Sequence, residues 1–365
     1  MKNKLISAAV ILMVVFGFLS IGACSSDDDD YVPFAVSPVV MDLTQVPYPN
    51  LSDYKFFTGE IKNQLPAYGV LPYRPNSELF TDYAKKSRFI WLPNGTKANY
   101  VSDSQILDLP VGAALIKTFY YDNVQPSNSR RIMETRVMIR KSEGWIFAEY
   151  IWNNEQTEAS LQMMGGTSPI TWIDQNNNTQ SIDYEFPSEN KCIKCHKWNA
   201  EHRPIGIKPQ NLNGVYNYAT GPKNQLTKLI EFGYLENSIP AVINATVDYN
   251  DTSKSLDLRV RSYLDINCAH CHQDGGDAEY MEIRMAFDKT IEPINMGVCK
   301  PASIQIPGID RGFVVKPANT GESTLLYMMN TNASNYRMPR IGRTMVHQEG
   351  VQLISNWINS LTPCD

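Results

Sequence analysis

Two short constellations in the chain have residue types and spacing suited to redox chemistry. Lys191-Cys192-Ile193-Lys194-Cys195-His196 and Asn267-Cys268-Ala269-His270-Cys271-His272 each set two thiols three positions apart, with a histidine directly after the second. This C-x-x-C-H spacing is the attachment signature of a c-type haem. Thiols three apart on one helical turn reach the two vinyl groups of one porphyrin and form thioethers, while the adjacent histidine reaches the iron. The reading is two covalent c-type haems, attached at Cys192 and Cys195 and at Cys268 and Cys271, with His196 and His272 as proximal iron ligands. Paired cysteines also build split four-thiolate zinc sites and redox C-x-x-C pairs. Zinc ribbons separate their pairs by about 15–20 residues, whereas 72 residues lie between Cys195 and Cys268.

The chain has seven cysteines, so three remain. Lys2 and Lys4 precede an apolar run from Leu5 to Ala23 that ends at Cys24, followed by Ser25-Ser26 and four consecutive aspartates. Small residues before a cysteine, then a polar run, fit a lipoprotein signal peptide cleaved before a lipidated Cys24. The alternative is a signal anchor, because the run nears the roughly 18 apolar residues that span a bilayer. Export to an oxidising compartment makes Cys299 and Cys364 a disulfide pair. It also suits haem attachment. The expected location is therefore a lipid-anchored position at the outer membrane, on the cell surface or, alternatively, on the periplasmic side.

The elements around each motif come next. Leu256, Val260, Tyr263 and Leu264 repeat at helical spacing behind Ser253 as a cap, which leads a helix into Cys268. A second helical stripe runs through Val346, Gly350, Leu353, Ile354, Trp357, Ile358 and Leu361, with Gly350 as a point of close approach. Between them, Met338-Pro339 lies in a loop with Arg337, Arg340 and Arg343. Met338 is the chosen sixth ligand of the second iron, with Met345 and His347 as competitors and salt bridging to haem propionates as one role for the arginines. A thioether there favours Fe(II). The first iron has no such loop: His202, Tyr216, Tyr218, Tyr234, Met163 and Met164 all remain open, and a helix from Pro222 to Gly233 is expected to cover that haem.

Upstream the rhythm changes to period two. Met133 to Arg140 and Trp145 to Trp152 alternate in the manner of strands around a turn at Lys141-Ser142-Glu143-Gly144, and similar segments occur at 89–92, 114–121 and 182–186. This region contains neither cysteine nor histidine. The expected organisation is thus a signal peptide at 1–23, an acidic, Pro-containing tether at 24–50, an antiparallel β domain at 51–187, a first haem-binding segment at 188–252, and a cytochrome c-like domain with the second haem at 253–365. A net charge of −5 argues against a nucleic-acid partner, which needs a basic face.

Phe186-Pro187-Ser188-Glu189-Asn190 before the first motif, Pro204-Ile205-Gly206, Gln210, Leu212-Asn213, and Tyr263-Leu264-Asp265-Ile266 before the second resemble a family of exported dihaem c-type cytochromes. Glu78-Leu79-Phe80-Thr81-Asp82, Pro110-Val111-Gly112, Lys117-Thr118-Phe119, Glu134-Thr135-Arg136, Trp152-Asn153 and Arg337-Met338-Pro339 are similar to it as well, although the family tends to carry a second Pro where Arg340 stands. The resemblance implies two haems, a redox role, and a parallel β-helix protein as a frequent companion. The fold expected is α+β and multidomain, with an N-terminal antiparallel β domain followed by a mainly α-helical, dihaem, cytochrome c-like region. The function expected is electron transfer through two haems between redox proteins of the envelope, in a metal-binding, lipid-anchored protein; the alternative is a peroxidase-like enzyme acting at the first haem.

Overall fold

The structure is a computed structural model and describes residues 36–306 and 312–364. The signal-peptide and Cys24 expectations lie outside the described residues. From Ser37 on, the chain forms one compact unit.

Its centre is an eight-stranded antiparallel sheet: β1 (Leu71–Pro72), β2 (Lys85–Trp91), β3 (Ala114–Val124), β4 (Ser129–Lys141), β5 (Gly144–Trp152), β6 (Ala159–Leu161), β7 (Gly166–Ile173) and β8 (Thr179–Phe186). The order β8-β7-β3-β4-β5-β6 is continuous, and β2 pairs with the first part of β3, from Ala114 to Tyr120, before β7 takes over at Val124. Successive strand side chains point to opposite faces, and here the two faces have opposite character. One face is a dry core in which Ile116, Val137, Ile139, Tyr150 and Trp152 pack against Tyr48, Tyr54, Phe56 and Phe57 from the preceding segment. Its few polar groups are paired: Tyr150 Oη donates to Tyr54 Oη at 2.9 Å, and Trp152 Nε1 to Thr135 Oγ1 at 3.0 Å.

The opposite face carries charge. Register places Lys117 against Arg136 and Arg136 against Glu149, so three charged side chains form one row across β3, β4 and β5. Leu115, Met138 and Phe147 form the next row.

Beyond the sheet, six helices of 4 to 13 residues occur among the described residues: α1 (Glu189–His196), α2 (Pro209–Leu212), α3 (Gln225–Glu231), α4 (Leu256–Asn267), α5 (Thr324–Met329) and α6 (Gln348–Ser360). The expectation of a mainly α-helical, cytochrome c-like C-terminal region is overturned. Turns and coil occupy most of 232–255, 268–292, 297–306 and 330–347, where Gly, Pro, Asn, Asp and Ser interrupt any helical repeat. The molecule is mostly sheet and coil. The helical stripes themselves are real but short. α4 is capped by Ser255, whose Oγ accepts from Leu258 N at 3.3 Å, because Ser253 is already bonded to Asp251. α3 begins after Asn224, whose Oδ1 accepts from Leu226 N and Thr227 N, since Pro222 sits in a hairpin strand.

α4 and α6 pack against each other, with Tyr263, Leu264, Ile354, Trp357 and Ile358 in their shared core. A Cβ at Gly350 would collide with the Tyr263 hydroxyl and stand 2.7 Å from His347 Nδ1, so only glycine allows this approach. Cys299 and Cys364 are joined by a disulfide with Cα atoms 5.8 Å apart. Among the described residues no helix is long and apolar enough to cross a membrane.

Candidate functional site

The two cysteine motifs end two different helices and meet in space. α1 begins after Pro187 with Glu189 in its first turn, where a carboxylate suits the helix dipole. Its two turns put Cys192 and Cys195 on one side, facing the charged face of the sheet. The second motif begins where α4 ends, with Cys268 N bonded to Leu264 O at 2.9 Å and His272 N to Cys268 O at 3.0 Å. The Cys195 thiol lies beside Cys271 and His270. A backbone bond of 2.7 Å from Asn199 N to Gly275 O ties the loops that follow the two motifs.

Each motif opens on a cavity. The first is a cleft of about 1360 Å³, solvent at its mouth included, walled by Cys192, Cys195 and His196, by the charged row of the sheet, by Tyr184, and by Pro339, Ile341 and Gly342. The second, about 1020 Å³, is walled by Cys268, His272, Tyr263, Arg343 and His347, and by five methionines, Met281, Met285, Met328, Met329 and Met338. Phe80, Asn267 and Pro339 belong to both walls.

Histidine environments differ. His196 Nδ1 is 2.7 Å from the carbonyl of Arg203, a bond that orients the ring and leaves Nε2 free as a ligand atom. His272 Nδ1 is buried without a protein partner. Burial pushes both imidazoles down to about 4, so both are neutral and able to ligate. Its neighbour Cys271 holds the Cys195 thiol low and is itself raised by Cys195, while burial raises Cys192 to about 11 and Cys268 to about 12.

Of the three candidate ligands for the second cavity, Met338 and His347 reach its wall, whereas Met345 lies in another groove. His347 is engaged, with Nδ1 3.0 Å from Tyr263 Oη and its ring stacked on Phe80 at 4.1 Å. Met338 is set by its backbone: its N–H donates to Met328 O at 2.8 Å, and Arg343 Nε donates to its carbonyl at 3.0 Å. Arg343 is buried and also donates to Asn332 Oδ1 and to the carbonyls of Met345, Met328 and Thr331. It is therefore a staple of the Met-Pro loop, a role the sequence reading missed; Arg340 is exposed at the cavity edge.

None of His202, Tyr216, Tyr218, Tyr234, Met163 or Met164 lines the first cavity. His202 packs edge-on against Phe147 with ring centroids 5.5 Å apart, and Met163 Sδ accepts from Glu149 N at 3.3 Å. α3 does not cover the cavity either: Leu226 and Leu229 are committed to a neighbouring core with Leu115 and Trp145. Arg136, Glu149 and Tyr184, which do face it, were not foreseen, nor was Glu134 beside them. Glu134 accepts two bonds from Arg136 and one from Tyr184 Oη, 2.5 Å from Glu134 Oε1. Glu149 lies beside them, 2% exposed.

Two acidic hubs stitch the motifs to the rest. Asp265 accepts from Lys208, Gln210, Asn211 and Phe287 N at 3.0–3.2 Å. Asp82 accepts from Thr344 N and Met345 N, both at 2.7 Å, and closes the Met-Pro loop onto the sheet.

The metal-binding expectation is overturned for an ion held by the chain's own side chains. Among the described residues no group of three or more His, Cys, Asp or Glu could hold one, because the thiols and histidines are spread between two cavities. With the low helix content, the description as a cytochrome c-like structure is withdrawn too, and the haem reading stands on the two motifs and the room beside their thiols. Those residues fit such a group in part: Cys192 and Cys195 border the first cavity, Cys268 borders the second while Cys271 lies in the wall of neither, and each motif histidine is neutral. Compared with family models, with curated proteins and with solved structures, the chain matches none.

Proposed function

We propose that the chain is a redox protein with one covalently attached c-type haem in each cavity, relaying single electrons between a donor and an acceptor protein of the cell envelope. The observation that carries this reading is the meeting of the two motifs. Segments 72 residues apart are joined by the backbone bond from Asn199 N to Gly275 O, and their cavities share Phe80, Asn267 and Pro339. A relay needs its two redox groups adjacent, and this packing supplies adjacency.

Cys192 and Cys195 would hold one group and Cys268 and Cys271 the other, with His196 and His272 as proximal ligands and Met338 as the sixth ligand in the second cavity. Haem iron exchanges one electron, and a thioether ligand favours its reduced state. The chain's own residues do the positioning. The Arg203 carbonyl fixes the His196 ring, Arg343 fixes the Met338 backbone, and Asp82 draws that loop against the sheet. Anchoring through lipid on Cys24 at the outer membrane, and a β-helix companion, belong to the same proposal and rest on the sequence and its resemblance.

A pyridine haemochrome assay on the exported protein should return two haems per chain; one or none refutes the reading. Met338→Ala should abolish the near-infrared Met-to-iron band; a band that survives transfers the assignment to another methionine of that wall, and a wild-type spectrum without the band transfers it to His347. The peroxidase-like alternative draws on the acid groups of the first cavity. Rapid carbon monoxide binding at one haem of the reduced protein favours it, and no binding favours the relay.

A further inference from the structure

A carboxyl pair with an unbalanced proton count stands at the first cavity, with Glu149 in its wall and Glu134 beside it outside the lining. Glu134 and Glu149 are 0% and 2% exposed on neighbouring strands. Arg136 and Tyr184 satisfy Glu134. Both oxygens of Glu149 are buried without a donor from the protein, and the carboxyl within hydrogen-bond reach is that of Glu134. Two carboxyl groups form a hydrogen bond to each other only when one proton lies between them, and Arg136, the cation hydrogen-bonded to Glu134 and 28% exposed, offsets one negative charge, not two.

We propose that the Glu149–Glu134 pair is a redox-linked proton site: it takes up one proton from solvent when an electron enters the first cavity and releases that proton when the electron leaves. This rests on the haem reading above. The balance is one electron from a one-electron donor protein and one proton from water, so the net charge of the cavity is unchanged across the step. The proton is held at a Glu149 carboxylate oxygen facing Glu134.

Burial, the hydrogen bond to Glu134 and its charge raise Glu149 to about 10, with Arg136 opposing. Burial also favours protonation of Glu134, but Arg136 and the bonds from Glu149, Arg136 and Tyr184 outweigh it and hold that carboxyl low. The proton therefore belongs to Glu149, and a positive charge added to the cavity on oxidation lowers its affinity.

Other groups face the pair from each neighbouring element. β3 presents Lys117, whose ammonium lies 4.7 Å from the Phe119 ring and whose affinity for a proton is reduced first by burial. β2 adds Lys86, which burial lowers to about 7, and Arg88. β8 adds Tyr184, raised by burial, and Glu185, which is paired with Lys191 of α1. Cys192 and His196 of α1, Asp82 before β2, and His270 complete the wall. Of these, Lys117 and Lys86 are the rival proton sites. Phe147, not Glu149, carries the contact with the His196 ring, at 5.1 Å.

The test is a spectroelectrochemical titration of the full-length, haem-loaded protein from weakly acid to weakly alkaline pH. One of the two potentials should fall as pH rises, by up to a tenfold change in the reduction equilibrium per unit, about 59 mV, and the other should stay flat. In Glu149→Gln with both haems still attached, both should be flat. A wild-type protein with two pH-independent potentials overturns the proposal and leaves the haem reading intact. So does a slope that survives Glu149→Gln and disappears in Lys117→Met or Lys86→Met. A haem count below two refutes the underlying reading instead. Should the variant fail to fold, the wild-type redox difference infrared spectrum serves: a protonated-carboxyl C=O band, shifted in D2O, must grow on reduction, and its absence overturns the proposal.

Discussion

The two cavities share a wall and differ in almost everything else. The first is floored by a β-sheet that turns Lys117, Arg136 and Glu149 into it, so any group lodged there faces charges that can gain or lose protons. The second is bounded by residues of α4 and α5 and by five methionines, with its one buried guanidinium, Arg343, occupied by backbone carbonyls. Sheet register delivers a row of like-spaced polar groups to one place, whereas irregular loops deliver single residues and need a staple to hold them. One cavity is therefore tuned by titration and the other by packing.

The largest effect separates the two outright. Replacing Cys268 and Cys271 with Ala should halve the pyridine haemochrome yield and remove the Met-to-iron band, whereas replacing Cys192 and Cys195 should halve the yield and keep that band. Arg343→Met comes next. It strands five acceptors around a buried site and should cost about 3–5 kcal/mol in urea unfolding, with loss of the band before loss of the haems. Gly350→Ala forces Tyr263 and His347 apart and should cost about 1–3 kcal/mol, again confined to the second cavity.

The smallest effect is a pair of opposite pH slopes. Glu149 keeps its proton up to about 10 in the native state but only to 4.5 in the free side chain, so between these values the reduced protein loses stability as pH rises. His347, lowered by burial from 6.5 to about 4, acts the other way: stability rises with pH through that window. Each slope is at most about 1.4 kcal/mol per pH unit. Denaturation midpoints of Glu149→Gln and His347→Gln across pH should lose the fall and the rise respectively; identical profiles would mean that the two cavities are not electrostatically distinct.

Much of the site was legible because its signals are local. The C-x-x-C-H spacing names its own attachment atoms, and alternation from Met133 to Trp152 marks a hairpin whose turn is Ser142-Glu143. What stayed hidden depends on the far side of each strand. Glu134, Arg136 and Glu149 read as solvent-facing members of an alternating pattern, yet the two carboxyls are buried and Arg136 is partly covered because α1 and the Met-Pro loop lie over this face. Amphipathic stripes at 256–264 and 346–361 encouraged a helical C-terminal region, but periodicity says nothing of the long turns between stripes, and those turns dominate. Asp82 and Asp265 look like ordinary loop and helix-surface acids until their backbone and amide partners, drawn from distant segments, are known.

The seam that closes both cavities is built from partners far apart along the chain: Phe80 N bonds to Asn267 at a separation of 187 residues, Asp82 to Thr344 at 262, and Tyr83 to Glu349 at 266. Contacts of such long range form late in folding. A chain made from its N-terminus would assemble the sheet early yet leave its charged face uncovered until almost the last residue had emerged. The thiols of α1 would remain within reach of solvent throughout that interval, so the order in which segments emerge decides how long the first cavity stays open.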